Sequence, residues 1–503
     1  MPILNSIASW WMRKRIHQIE LFMKYPHDVQ QEWFLKLIDK AKNTEWGKKY
    51  KYSEITSIKK YAANVPLQDY DSMKDIIERM RKGEQNILWP SDIKWFSKSS
   101  GTTSDKSKYI PVSIESLEEC HYNGGRDMVT IHCSNNPETL IFTGKNLALA
   151  GSYKTYRTGN YESYYGDLSA IVIQNLPIWA EFLRAPNLDI ALLDEWEDKL
   201  EKLAINTMDE NITSVAGVPS WLLILFKRIL ELKKKKYITE VWPNLEVFFH
   251  GGVNFKPYKE QFKTLFNSEK VSFIELYNAS EGFFGIQDQP NSDELLLMLD
   301  YGIYYEFIPM ENFDELNSTT ITLNEVELDK NYALVISTSA GLWRYIVGDT
   351  IKFTSLIPYR FKITGRTKQF INAFGEELIV DNAENAIKIA CDKTGVLVKE
   401  YTAAPSYITD KTSGYHEWFI EFDKQPENIG YFVEVLDNAL KSLNSDYEAK
   451  RYNNILLKQL VVHIAKEGTF YNWMKTRNKL GAQNKVPRLS NERIYIDELL
   501  KLT

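Results

Sequence analysis

Between Ile3 and about Met80 the apolar residues return at every third or fourth position, as in Ile16, Ile19, Leu21 and Phe22 and again in Trp33, Phe34, Leu37 and Ile38. That spacing predicts a helical lead-in broken by short polar turns. After Asn86 the texture changes to short apolar runs bounded by Gly, Pro, Ser and Asn: IKWF at 93–96, ITSVAGVP at 212–219, LEVFFHGG at 245–252 and VSFIELYNAS at 271–280. Such runs predict buried strands alternating with helices. Trp221 to Leu232 is apolar almost all round and reads as a buried helix, with Lys233 to Lys236 as its solvated end. The rhythm predicts a mixed α/β core.

From about Tyr301 to Phe353 the pattern turns to paired strands with Asn, Asp and Gly turns: YYEFIPM, NYALVIST and RYIVGDTIKF. An antiparallel element should therefore follow the α/β core. Beyond ITGRTKQFINAFGEELI at 363–379, helical and strand-like segments alternate again, as in a small separate lid. The expected boundary is Gly365, which divides a large N-terminal domain, residues 1–365, from a small C-terminal domain, residues 366–503. A length of 503 residues agrees, since it exceeds what one hydrophobic core usually organises.

Charge narrows the class of ligand. With 61 basic and 67 acidic residues the net charge is −6, so no global positive field gathers nucleic acid or anionic lipid, and an anionic ligand must be met locally. Three scattered cysteines, Cys120, Cys133 and Cys391, make no disulfide framework and suggest a reducing, cytoplasmic setting. The opening MPILNSIASWWMRKR places apolar residues before basic ones, the reverse of a secretory signal, and no run of 18 apolar residues occurs. Trp10 and Trp11 fit a helix docked on its own domain better than a membrane anchor, so no stable membrane association is expected.

Three short stretches can carry chemistry. Ser99-Ser100-Gly101-Thr102-Thr103-Ser104-Asp105-Lys106-Ser107-Lys108 follows the strand-like IKWF, and its hydroxyls, N–H groups and lysines suit a phosphate cradle or an ordinary surface loop. Its spacing is not that of a P-loop. In Tyr277-Asn278-Ala279-Ser280-Glu281-Gly282 the carboxylate either holds a hard cation bridging phosphates or caps the next turn, and Tyr277 offers a flat face to a base. In Trp343-Arg344-Tyr345-Ile346-Val347-Gly348-Asp349 a sharp Gly-Asp turn presents a carboxylate suited to ribose hydroxyls. The pairs Cys120-His121 and His132-Cys133 lack zinc spacing, and no G-x-S-x-G elbow supports a serine hydrolase.

With these three blocks in this order, together with AKNTEWGKKYKYSEI, VPLQDY at 65–70 and GEQNILWP, the chain resembles the Gretchen Hagen, or auxin-responsive promoter, family of acyl acid amido synthetases in the acyl-adenylate-forming superfamily. The resemblance runs through nearly the whole chain. It implies a large domain with helical lead-in, mixed sheets and a β-barrel-like element that binds ATP and a carboxylic acid, and a mobile C-terminal lid. It implies adenylation of the acid, then attack by an amine, most simply an amino acid, to form an amide. Family roles put Ser99, Ser100, Gly101, Thr102, Thr103 and Lys108 around the phosphates, Gly251 and Gly252 along the adenine, and Tyr277 on its face. Ser280 and Tyr345 fall in the nucleotide site, Glu281 holds Mg²⁺, Asp349 the ribose hydroxyls, Arg366 lies near the ribose and Lys368 at the hinge. In Gln483-Asn484-Lys485-Val486-Pro487-Arg488, Lys485 matches the lid lysine that reaches the reacting carboxylate, so Lys485, Lys108 and Glu281 form the implied catalytic set.

Two departures stand out. Asp105 occupies a position where the family has Gly, and Ile346 one where it has Arg; Arg344, on the same strand face, is the expected substitute for that charge. An acyl pocket is expected from the aromatic-rich stretch with Tyr156, Tyr164, Tyr165, Trp179 and Phe182 and from Val218 and Trp221, residues that serve a core equally well. Two alternatives remain open on these residues: transfer of the acyl group to coenzyme A, and a degenerate protein that binds nucleotide or acyl ligand without turnover.

Overall fold

A computed structural model describes the chain except Met1, residues 100–107, 253–254, 256–257, 368–369, 372, 374–375, 377, 407–413, 445–446, 449–450, 452–456, 478, 480–484, 491 and Thr503. The lead-in forms helices Pro2–Lys24, Pro26–Ala41, Glu45–Lys49, Ile58–Asn64 and Tyr70–Arg81. Thr44, Ser57 and Asp69 cap the last three of them where the spacing breaks. The Asp69 carboxylate accepts from the Ser72 N–H at 2.8 Å while the Ser72 hydroxyl accepts from the Asp69 N–H at 3.0 Å, satisfying two orphan donors of the first turn. Phe34, Leu37 and Ile38 turn their shared face to the core.

Strands β1 (Trp95–Ser99) and β2 (Lys108–Val112) form an antiparallel hairpin. They are followed by β3 (Lys145–Ala148), β4 (Tyr153–Thr158), β5 (Tyr161–Gly166), β6 (Arg184–Ala185), β7 (Ile212–Gly217), β8 (Val247–Gly251) and β9 (Ser272–Ala279). Then come β10 (Gly282–Ile286), β11 (Leu295–Leu297), β12 (Ile303–Pro309), β13 (Asn331–Thr338), β14 (Tyr345–Leu356) and β15 (Tyr359–Arg366). A four-stranded sheet has the order β2-β1-β5-β4, and an eleven-stranded one the order β12-β13-β14-β15-β11-β10-β9-β8-β7-β3-β6. In the larger sheet β6, β3, β7, β8 and β9 pair in parallel, whereas every pairing from β9 through β10 to β12 is antiparallel. The antiparallel strands therefore extend the α/β sheet, with β12 and β6 as the two ends of the strand order.

The parallel strands are buried on both faces. Along β8, Val247 and Phe249 join a core with the lead-in helices and the antiparallel strands, while Phe248 joins a second core with Leu222, Phe226 and Ile229 of the helix Pro219–Lys233. This is why the run reads as continuously apolar. Beyond β15 lie β16 (Phe370–Ile371), β17 (Leu378–Ile379), β18 (Leu397–Ser406), β19 (Tyr415–Lys424) and β20 (Val461–Ala465). The helices Val380–Thr394 and Ile429–Leu443 cover the sheet β18-β19-β20, burying Trp418, Phe432 and Leu436 in a core of their own. Among the described residues no helix is long and apolar enough to cross a membrane.

Arg344 corrects an expectation. Its backbone takes φ +46°, and its guanidinium turns inward to pair with Glu306 at 3.0 Å, donating also to the Val65 carbonyl at 2.7 Å and the Thr320 hydroxyl at 2.6 Å. It clamps the lead-in to the sheet and supplies no charge to an anionic ligand. Ile346 packs with Leu67, Ile308 and Val335, so that position is apolar for a packing reason. Both members of the Arg344–Glu306 pair are almost fully buried, and removing one partner strands the other's charge. Glu306→Ala should therefore destabilise the protein by about 3–5 kcal/mol, read from the chemical denaturation midpoint; a cost under about 1 kcal/mol would mean the pair is solvated.

Candidate functional site

The parallel and antiparallel halves of the large sheet meet at β9, and a crevice beyond the C-terminal ends of the parallel strands is where open α/β sheets bind ligands. Gly251 and Gly252 end β8 there. A Cβ on Gly251 would stand 2.5 Å from the Leu276 carbonyl oxygen of β9, and Gly252 has φ +81°, so the chain passes close and turns sharply. The β1/β2 hairpin enters the same region, with Ser99 opposite Lys108 at the base of its loop. The Ser97 hydroxyl meets that of Ser280 at 2.9 Å, both buried, which joins the hairpin to the residue before Glu281.

Three strands converge on one carboxylate. Asp349 lies in β14 where β13 skips register between Ala333 and Val335, so the expected sharp turn is a bulge inside a strand, with Gly348 at φ +93°. The Tyr277 hydroxyl of β9 donates to Asp349 Oδ2 at 2.5 Å, and Arg366 Nε of β15 donates to Oδ1 at 2.6 Å. Burial alone would raise the Asp349 carboxyl, but the charge and hydrogen bond of Arg366 and the Tyr277 hydroxyl hold it below the ordinary range. A carboxylate has about four acceptor positions, so about two remain for hydroxyls of a ligand.

Glu281 follows β9 and is pushed up by burial and by nearby Asp349, against Lys108 and Arg366. The Tyr345 hydroxyl is fully buried near Glu281 and has no partner among the described residues. Lys485 arrives from the far end of the chain: its ammonium lies 3.8 Å from where a Cβ on Gly252 would be, and Arg366, Asp349 and Glu281 act on it. Burial and then Arg366 lower it to about 8, although the side chain as a whole keeps solvent contact, which tempers the effect of burial. Lone carboxylates such as Glu281 suit a hard cation that takes its other ligands from phosphate and water. Among the described residues no His, Cys, Asp and Glu cluster forms a complete metal cage, and Cys120 and His121 are buried, with the thiol pushed up to about 12 and the imidazole down to about 4.

The structure thus brings Glu281, Ser280, Tyr345, Asp349, Arg366, Lys108, Gly251, Gly252 and Lys485 to one place. Tyr277 reaches it differently from the expected open face: its ring is 6% exposed, packed near Phe284 and Phe361, and it gives the site its hydroxyl. Of the acyl-pocket residues, Val218 stands 3.4 Å from the Gly252 Cβ position, but Trp221 belongs to the core and Phe182 is 77% exposed. Tyr164 stacks on Trp95, and Tyr156 and Tyr165 flank Arg81, so these rings find packing partners around the small sheet. Ser100, Gly101, Thr102, Thr103, Asp105 and Lys368, and the side chains of Ser99 and Trp179, lie outside the described residues. Ser97 escaped the sequence reading; its signal is a small polar residue between Phe96 and Lys98, at a strand position facing inward.

Residues 15–271 match the GH3 family N-terminal domain, 296–366 the GH3 family central domain and 381–494 the GH3 family C-terminal domain. The chain is 24% identical to the indole-3-acetic acid-amido synthetase GH3.3 of Arabidopsis thaliana, covering 97% of this chain and 93% of that one. It is 22% identical to the jasmonoyl–L-amino acid synthetase GH3.5 of Oryza sativa subsp. japonica, covering 95% and 94%. Its fold is similar to that of the GH3.15 acyl acid amido synthetase, with a TM-score of 0.79 at 15% identity over 97% of this chain and 95% of that one. A 2-hydroxyisobutyryl-CoA ligase in complex with its acyl-AMP gives 0.60 at 12% identity over 94% and 92%.

Removing the Tyr277 hydroxyl tests the triad of strands. Tyr277→Phe should cost about 1.5–3 kcal/mol at neutral pH, because a bond to an ionised, buried carboxylate is lost. The Asp349 carboxyl is lower in the folded than in the unfolded chain, so its contribution is present above about pH 4 and is lost as pH falls through the folded value. The penalty measured by denaturation should shrink over that acid range; one independent of pH would contradict the assignment.

Proposed function

For a chain that belongs to the GH3 family, we propose that the convergence of Lys485 on Gly252, Glu281, Asp349 and Arg366 is the active site of an acyl acid amido synthetase. The enzyme is an acid–amino acid ligase. In the first step a carboxylate oxygen attacks the α-phosphorus of ATP and the bond to the leaving pyrophosphate breaks. In the second, an amine nitrogen attacks the acyl carbon, the bond to AMP breaks, and the nitrogen gives up a proton.

A carboxylate is a poor electrophile, and each step spreads negative charge over phosphate oxygens that fixed cations must stabilise. Lys108 and Lys485 are placed for the phosphates, the first at the hairpin base and the second over the glycine pair. Glu281 would hold Mg²⁺, a fit supported by its raised carboxyl, which a cation would relieve. When bound, the ion neutralises charge on the triphosphate. Asp349, fixed by Tyr277 and Arg366, receives the ribose hydroxyls, and the orphan hydroxyl of Tyr345 stands ready for a polar ligand atom. The acyl chain lies against Val218 beside Gly252. Residues 1–365 form the body and 366–503 the lid, turning at Lys368, a division supported by the separate apolar core beyond β15. Free cysteines at 120, 133 and 391 suit a reducing cytoplasm.

Exchange of labelled pyrophosphate into ATP, screened over a panel of carboxylic acids, should appear with at least one acid, and product should then form only on adding an amine. Thioester formation with coenzyme A and none with amines would replace amide synthesis by a thioester ligase, and absence of exchange with every acid would overturn adenylation. Because the Lys485 ammonium is charged below about 8 and neutral above, kcat/KM for ATP in this assay should fall as pH rises through about 8. Lys485→Arg should move that limb to higher pH; an unchanged limb would assign it to another group.

A further inference from the structure

The segment that carries Lys485 is laid along β18. The Thr402 hydroxyl donates to the Pro487 carbonyl at 2.6 Å, the Ala403 N–H to the Arg488 carbonyl at 2.9 Å, and the Ser490 N–H to the Ala403 carbonyl at 3.1 Å. Only Val486, which is buried, and Pro487, whose ring fixes φ, separate Lys485 from Arg488. The Arg488 guanidinium is heavily engaged. Its Nε meets Glu384 of the helix Val380–Thr394 at 3.2 Å, its Nη1 pairs with Glu400 and donates to the Tyr401 carbonyl at 3.2 Å, and it lies 4.7 Å from the centre of the Tyr401 ring.

One further group faces this guanidinium, and it comes from the other body. The Arg488 charge lies near enough to act on the Tyr258 hydroxyl, while the Tyr258 ring is buried with Phe248, Phe255 and Phe262 in the core behind the parallel strands. Tyr258 starts the helix Lys259–Phe266, just beyond the glycine pair at the end of β8. In that helix Gln261 donates to Asp423 at the end of β19 at 2.9 Å. Arg488 therefore bridges the sheet that carries Lys485 and the segment over which Lys485 must stand.

We propose that Arg488 is a positioning residue for Lys485: held by Glu384, Glu400 and Tyr401 and seated on Tyr258, it docks the lysine-bearing segment on the glycine pair for acyl-adenylate formation. The claim rests on the adenylation reading for the half-reaction it affects. A planar guanidinium meets two carboxylates and a carbonyl at fixed directions, which an ammonium does not reproduce, so Arg488→Lys should loosen the docking. The Arg488 guanidinium is engaged by Glu384, Glu400 and the Tyr401 carbonyl on the carboxy-terminal sheet, so a supplied acyl-adenylate should still meet its amine normally.

The test uses the full chain with Arg488→Lys and, because loss of this half-buried, ion-paired arginine threatens folding, Tyr258→Phe on the opposite side of the contact. Pyrophosphate exchange should fall about 10- to 100-fold in Arg488→Lys, the size expected for a displacement of about 1 Å, and by less in Tyr258→Phe, with aminolysis of a supplied acyl-adenylate changed less than about twofold. Independently of activity, trace acetylation of Lys485 with acetic anhydride against pH, read by mass spectrometry, should titrate near 8 in the parent chain and move toward the ordinary lysine value of about 10.4 in both variants. Equal loss in both half-reactions, or unchanged exchange and unchanged Lys485 titration, would overturn the proposal. If the parent chain exchanges with no acid, the adenylation reading fails by itself, and the acetylation profile then decides whether Arg488 places Lys485.

Discussion

Two hydrogen bonds onto the Asp349 carboxylate, from Tyr277 and Arg366, tie β9, β14 and β15 at the point where the large sheet changes from parallel to antiparallel pairing. Arg366 and the Tyr277 hydroxyl outweigh burial and hold the Asp349 carboxyl below its ordinary range, while burial, with the Asp349 charge adding to it, pushes Glu281 up. The local field therefore has a definite shape. Two carboxylates face Lys108, Arg366 and Lys485, a set that attracts a ligand carrying both phosphates and hydroxyls and welcomes a cation near Glu281.

The fold exists to hold that field in place. Strands β7, β8 and β9, apolar on both faces, are pinned between two cores, so the glycine pair ending β8 cannot drift from β9. The hairpin that carries Lys108 is fastened by the Ser97–Ser280 contact to the residue preceding Glu281. Among the described residues of the site only Lys485 comes from beyond β15, on the segment laid along β18, which makes its placement a question of docking between two bodies and gives the proximity of Arg488 to Tyr258 its importance.

Much of this was legible in the sequence because it depends on periodicity and on short ordered motifs. The two-sided apolar run of LEVFFHGG announced β8, and Glu281 and Asp349 stood in stretches whose residue types suited a cation and ribose hydroxyls, whereas Arg366 and Lys485 were marked only by the resemblance of their stretches to a known family. What could not be read was direction and partnership. Arg344 lies on the expected strand face in sequence, but a left-handed backbone turns it to Glu306, a residue remote in the chain. Tyr164 and Tyr165 suggested an acyl pocket, yet their partners Trp95 and Tyr109 come from the neighbouring hairpin. The antiparallel strands likewise gave no sign that they would continue the α/β sheet, since register between distant strands is set by packing and not by local pattern.

The central claim is that one site, assembled from both ends of the chain, activates a carboxylic acid as its adenylate and that Lys485 serves that step. Single-turnover measurement on Lys485→Ala separates the two halves of the reaction most directly. Acyl-adenylate formation from acid and ATP should slow by about 100-fold or more, while aminolysis of supplied acyl-adenylate stays within about threefold of the parent chain. Equal loss in both steps, or full retention of adenylate formation, would contradict the account.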